Sequence, residues 1–76
     1  MNSILNLSTE LRCNLLDCLI QECGLYIRYR YDPDMLSTGN TARQLFLIKS
    51  IWNSLADQDK PKWCSDALIK EYEKLL

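Results

Sequence analysis

Apolar residues recur at helical spacing in the first part of the chain, with polar residues mostly between them. The members of this first stripe are Leu7, Leu11, Leu15, Cys18, Leu19 and Cys23. We therefore predict an amphipathic helix over residues 7–23. Gly24 is suited to end such a helix, because glycine readily adopts the left-handed conformation of a C-cap.

Two further helices are predicted downstream. Asn40 or Thr41 can cap a second helix that runs to about Leu55, and Asp59 can cap a third with Pro61 in its first turn. The buried positions expected on helix 2 are Leu45, Ile48, Trp52 and Leu55, flanked by Leu47 and Ile51. Those expected on helix 3 are Trp63, Ala67, Tyr72 and Leu75 or Leu76. Residues 1–76 are thus interpreted as a single all-α domain of three helices.

Residues 25–31 allow two readings. The alternation of Leu-Tyr-Ile-Arg-Tyr-Arg-Tyr is typical of a strand, yet the chain offers no second alternating run as its partner. We therefore favour a helical or irregular continuation, stopped by Asp32-Pro33. If a strand formed, it would pair with another chain. A loop is expected from Asp32 to Asn40.

Length and composition restrict the function. A chain of 76 residues has room for one core, and its hydrophobic content of 47% argues against disorder. No apolar stretch approaches the ~20 residues of a membrane helix, so no membrane association is expected. The N-terminal sequence lacks the basic region of a signal peptide, which favours an intracellular protein.

The residues that usually carry chemistry are few. There is no histidine, and the spacing of Cys13, Cys18 and Cys23 turns each thiol ~140° from the last on a helix. These thiols cannot converge on one metal ion, so with Cys64 they are interpreted as small buried hydrophobic residues. We expect no catalytic residue, no metal and no cofactor, hence no enzyme.

One pattern resembles a known family. Trp52, Leu55, Lys60, Trp63 and Ala67 follow the order and spacing of the second half of an HMG box, and the match spans residues 45–73. The resemblance implies an L-shaped three-helix DNA-binding module in which these five residues form the scaffold. Apart from the resemblance, Lys60 is expected to lay its aliphatic stem on an indole face while its ammonium stays in water.

The resemblance further implies a DNA-binding or chromatin-associated regulator of transcription, located in the nucleus. Such domains bind the minor groove by its shape and bend it. The candidate phosphate contacts in this chain are Arg28, Arg30, Arg43 and Lys49.

An alternative stays open, in which the helices form a protein-interaction module without DNA binding. The net charge of −1 and the pI of about 5.2 favour it, because DNA affinity comes largely from a basic surface. Such a domain would self-associate or dock on a larger protein, with residues 25–31 as the candidate contact.

Overall fold

A computed structural model describes residues 7–76 of the chain. In this range the chain forms three α-helices, α1 (Thr9–Arg28), α2 (Thr41–Ser54) and α3 (Asp66–Leu75). Single 3₁₀ turns at Pro33–Met35 and Asp57–Asp59 lie in the two connections. The prediction of a small all-α domain with three helices is confirmed.

Each α-helix begins at a residue whose side chain caps its first turn. The side-chain oxygens of Ser8, Asn40 and Ser65 each accept a hydrogen bond, 3.1 Å long, from the backbone N–H three residues further on. These bonds satisfy donors that a helix leaves unpaired at its N-terminus. Asn40 was one of the two predicted caps of α2. The predicted start of α3 at Asp59 was wrong, because the helix begins after Ser65.

The first helix is longer than its apolar stripe suggested. It passes through Gly24 without interruption and includes Leu25 to Arg28, so neither a C-cap at Gly24 nor a strand forms there. The helix ends where the Tyr31 N–H donates to the Tyr26 carbonyl at 2.7 Å. Arg30 lies between them in the left-handed conformation, as the residue after a helix end often does.

The exit from α1 stores backbone strain, since Arg30 (φ 59°) and Tyr31 (φ 63°) are both left-handed. A side chain in this conformation costs about 1 kcal/mol relative to glycine. We therefore expect Arg30→Gly to be more stable than Arg30→Ala by about 1 kcal/mol. Urea unfolding followed by circular dichroism compares the two variants. Equal stability would show that this turn relaxes to an unstrained conformation.

The core lies mainly between α1 and α2, which run antiparallel. Arg12 near the start of α1 reaches the carbonyl of Ser54 at the end of α2 (3.0 Å), and Gln44 near the start of α2 reaches the Leu19 carbonyl (3.0 Å). The third helix adds Ile69 to this core. The buried cluster consists of Leu16, Leu19, Ile20, Cys23, Ile48, Ile51, Trp52, Leu55, Cys64 and Ile69.

Several core predictions fail because α3 begins late. Trp63 lies in the turn before the helix and is 49% exposed, so it is not a core residue. Ala67 is also exposed, because the helix turns Ile69 towards the core. Leu75 is exposed, while Tyr72 and Leu76 are partly buried against the core. On α2, Ile51 and Gln44 are fully buried, whereas Leu45 is only half-buried.

Candidate interaction surface

The four basic residues predicted to contact DNA lie on α2 and at the exit of α1. The Lys49 ammonium is paired with Glu73 of α3. Arg43 lies six residues before Lys49, which places it about 120° away around α2. Arg28 and Arg30 are exposed at the exit of α1. Arg43 and Lys49 therefore do not form a pair of free cations on one side of α2, and DNA contact by the four residues stays a prediction.

The Lys60 side chain stabilises the connection between α2 and α3. Its ammonium donates to the Leu55 carbonyl at 2.7 Å, lies 5.1 Å from the centroid of the Trp52 ring, and is 3.6 Å from Asp57 Oδ1. The carbonyl is one that α2 leaves unpaired at its end. Trp52 and Leu55 are themselves buried. Lys60 is thus beside an indole, but its ammonium lies near the ring and binds the Leu55 carbonyl, whereas we predicted that the ammonium would stay in water.

A polar cluster joins α1, the following loop and α2. Gln44 is completely buried, and its Nε2 donates to the Leu19 carbonyl (3.0 Å) and to Glu22 Oε1 (2.9 Å). Its Oε1 accepts from the Thr38 hydroxyl at 2.8 Å. Glu22 also accepts from the N–H (2.9 Å) and the hydroxyl of Ser37. These bonds hold the loop after α1 against both helices. The sequence pattern missed this cluster, although Gln44 stands one turn before Ile48 on the buried stripe.

The Glu22 carboxylate makes stability depend on pH. Burial raises the pKa of Glu22, but the hydrogen bonds from Ser37 and Gln44 together lower it by more. The pKa of Glu22 is therefore below its ordinary value. A carboxylate whose pKa is lowered on folding stabilises the fold at any pH above its ordinary pKa. This contribution is lost as the pH falls through the lowered pKa of the folded state. We expect the free energy of unfolding to fall more steeply below about pH 5 in the native chain than in Glu22→Gln. Urea unfolding at several pH values measures both slopes, and parallel curves would contradict this role.

The four thiols occupy different environments. Cys23 and Cys64 are buried, and burial raises the pKa of both; the nearby Glu22 charge adds to the effect on Cys23, whose pKa reaches about 11. Cys13 is half-buried, and its Sγ lies 3.7 Å from the Asp59 carbonyl. Cys18 is exposed, so the prediction that all four thiols are buried was wrong for this one.

Apolar side chains form a line along the solvent side of α1. Leu11, Leu25 and Tyr29 are 53%, 39% and 54% exposed, and Cys18 is exposed between them. At about 100° per residue these four positions fall within an arc of about 40°. Asn14 and Gln21 lie beside them and are also exposed. We call these six residues the α1 outer face.

Tyr31 extends this exposed apolar surface beyond the end of α1. It is 55% exposed, and its ring contacts Tyr26 edge to face, with the centroids 5.6 Å apart. Among residues 7–76, the other large exposed apolar residues are Phe46, Trp63 and Leu75.

Comparison with known proteins decides the family. The model of the family described as large polyvalent protein-associated domain 11 matches residues 9–76. The chain belongs to this family. No curated protein and no solved structure matches the chain.

The HMG-box identification is therefore wrong. The family match covers all three helices, whereas the HMG-box resemblance was confined to residues 45–73. Nuclear location and transcription regulation, which rested on that resemblance, lose their support. Membership of the large polyvalent protein-associated domain 11 family is consistent with the alternative of a small helical module that binds protein.

The described helices give no sign of a membrane span. Among residues 7–76, no helix is both long and apolar enough to cross a bilayer.

Proposed function

We propose that this chain is a non-catalytic protein-interaction module that docks through the α1 outer face and the adjacent Tyr31. The observation that carries the proposal is the line of exposed apolar side chains along the whole length of α1. Exposed apolar side chains aligned on one face of a helix are typical of contact sites on soluble domains. Tyrosine supplies a large contact area at little conformational entropy, which suits Tyr29 and Tyr31 to such a contact.

The chemistry of the chain supports a non-catalytic role. It contains no histidine for proton transfer. In the part of the chain that the structure describes, no group of histidine, cysteine or acidic side chains is placed to hold a metal ion. The raised pKa of Cys23 and of Cys64 keeps these thiols protonated at neutral pH, which makes them poor nucleophiles.

The family description supports the same proposal. It associates these domains with large polyvalent proteins. A small helical module can serve such a protein by binding to another of its parts or to a separate protein.

Site-specific photocrosslinking tests the proposal. Tyr29 is replaced by benzoylphenylalanine, which preserves an aromatic ring on the α1 outer face, and the chain is expressed in the cells that make it. The matched control carries the same group at Gln58, an exposed residue in the 3₁₀ turn before α3. We expect discrete crosslinked protein products, identified by mass spectrometry, from position 29 and few from position 58. No product from position 29 above the control would overturn the proposal.

A further inference from the structure

We infer that the α1 outer face pairs with the same face of a second copy of this chain, with the two helices antiparallel. This inference rests on the proposed function and names the occupant of its docking surface. It follows from two symmetries in the positions of exposed residues along α1.

The first symmetry is in the apolar residues. Cys18 lies midway between Leu11 and Leu25, seven residues from each. Seven residues are close to two helical turns, so the three side chains form a straight row about 21 Å long. A two-fold axis that passes beside Cys18 at right angles to the helix places Leu11 of each copy opposite Leu25 of the other. The pair of helices therefore contains this contact twice. Such an isologous contact is the commonest way in which identical chains associate.

The second symmetry is in the charges. Glu10 and Arg28 are exposed near opposite ends of α1, eighteen residues apart. Eighteen residues are five full turns, so both side chains lie along the same edge of the α1 outer face. The two ion pairs of the described residues, Lys49 with Glu73 and Lys60 with Asp57, involve neither of them.

This arrangement of charge selects the antiparallel orientation. The two-fold axis beside Cys18 brings Glu10 of each copy to the height of Arg28 of the other, within about 3 Å along the helix and on the same side. A parallel pair would place each charge level with its like. Opposed helix dipoles also favour the antiparallel arrangement. Asp17 lies on the same edge, and its carboxylate accepts a hydrogen bond from Gln21 at 3.0 Å. This bond directs the Asp17 side chain along its own helix.

The size of the surface sets the expected affinity. A row of three apolar side chains with two ion pairs is at the low end of protein interfaces, where association is weak and reversible. We therefore expect a dissociation constant in the micromolar range and an association that weakens with added salt.

Charge exchange tests the pairing. Sedimentation equilibrium compares the native chain with Glu10→Arg, Arg28→Glu and the double variant. Each single exchange sets like charges against each other at two places and is expected to weaken the dimer at least about tenfold. The double variant restores both pairs and is expected to return to within about threefold of the native value. Circular dichroism checks that each variant keeps its helices.

Cys18 supplies an independent measure of the geometry. Oxidised glutathione can convert two Cys18 thiols into one disulfide, and each such event releases two molecules of reduced glutathione. We expect a covalent dimer on non-reducing gels from the native chain and from Cys13→Ser, and its loss in Cys18→Ser. A dimer that all three chains form equally would contradict the contact at Cys18.

The failures of the two proposals are distinguishable. A chain that stays monomeric at several hundred micromolar overturns self-pairing. If position 29 then crosslinks to other proteins, the proposed function stands with a different occupant. If it crosslinks to nothing above the control, both proposals fail.

Discussion

Replacing Trp52 with alanine is expected to lower the free energy of unfolding by about 4 kcal/mol. Trp52 is 9% exposed and belongs to the cluster between α1 and α2. Its removal also takes away the ring beside the Lys60 ammonium, which lies 5.1 Å from the ring centroid. Because a domain of this size is only marginally stable, the variant should be largely unfolded at 37 °C. Urea unfolding followed by circular dichroism measures the loss.

Trp63→Ala is the matched control, since it removes the same side chain from a turn where half of it is exposed. We expect a loss of at most about 1 kcal/mol, because less apolar area leaves water when Trp63 folds into place. The fluorescence of Trp63→Ala gives a second readout, because the emission of its remaining Trp52 should be blue-shifted and shielded from acrylamide. Equal losses of stability would contradict the placement of Trp63 outside the core.

The features that depend on local sequence were predicted well. Three helices follow from apolar periodicity, and the start of α2 at Asn40 follows from the capping chemistry of its side chain. Ile48, Trp52 and Leu55 lie on one side of α2, so a stripe at helical spacing identifies them without knowledge of the rest of the fold.

The start of α3 illustrates where local sequence is insufficient. Asp59 and Ser65 are both good N-caps, and Pro61 fits the first turn of a helix that begins at Asp59. The structure instead uses residues 57–60 to close the end of α2, where the Lys60 ammonium binds the Leu55 carbonyl. That contact depends on how the chain folds back after α2. Moving the helix start by six residues changes which side chains face the core, and Trp63 and Ala67 were misplaced for this reason.

The mistaken family had a related cause. A pair of helices that buries one tryptophan and turns sharply can give the spacing of Trp52, Leu55 and Lys60 without any common origin. The candidate surface was partly foreseen, because residues 25–31 were named as a contact in the alternative reading. Its extension along α1 to Leu11 was not, since the sequence alone placed Leu11 and Cys18 in the buried stripe. Which side of α1 is covered is decided by α2, far away in sequence.

Gln44→Ala is expected to lower the free energy of unfolding by about 3 kcal/mol, although glutamine is a residue usually found at the surface. The truncation removes every hydrogen bond of the buried Gln44 side chain, namely those to the Leu19 carbonyl, the Thr38 hydroxyl and Glu22. Each hydrogen bond lost from the buried side chain lowers the free energy of unfolding, and the vacated volume adds a further loss of packing.

The matched control is Gln21→Ala, which removes the same side chain from the exposed face of α1, where it contacts Asp17 at 3.0 Å. That surface pair is expected to contribute about 0.5 kcal/mol at most. Urea unfolding compares the two variants, and a difference below about 1 kcal/mol would mean that Gln44 is not the centre of a buried network. Gln44 donates a hydrogen bond to Glu22, and Glu22 accepts one from Ser37. We therefore also expect the free energy of unfolding to fall less steeply with decreasing pH in Gln44→Ala than in the native chain. Loss of both stability and pH dependence in one variant would show that the buried amide and the carboxylate act as one unit.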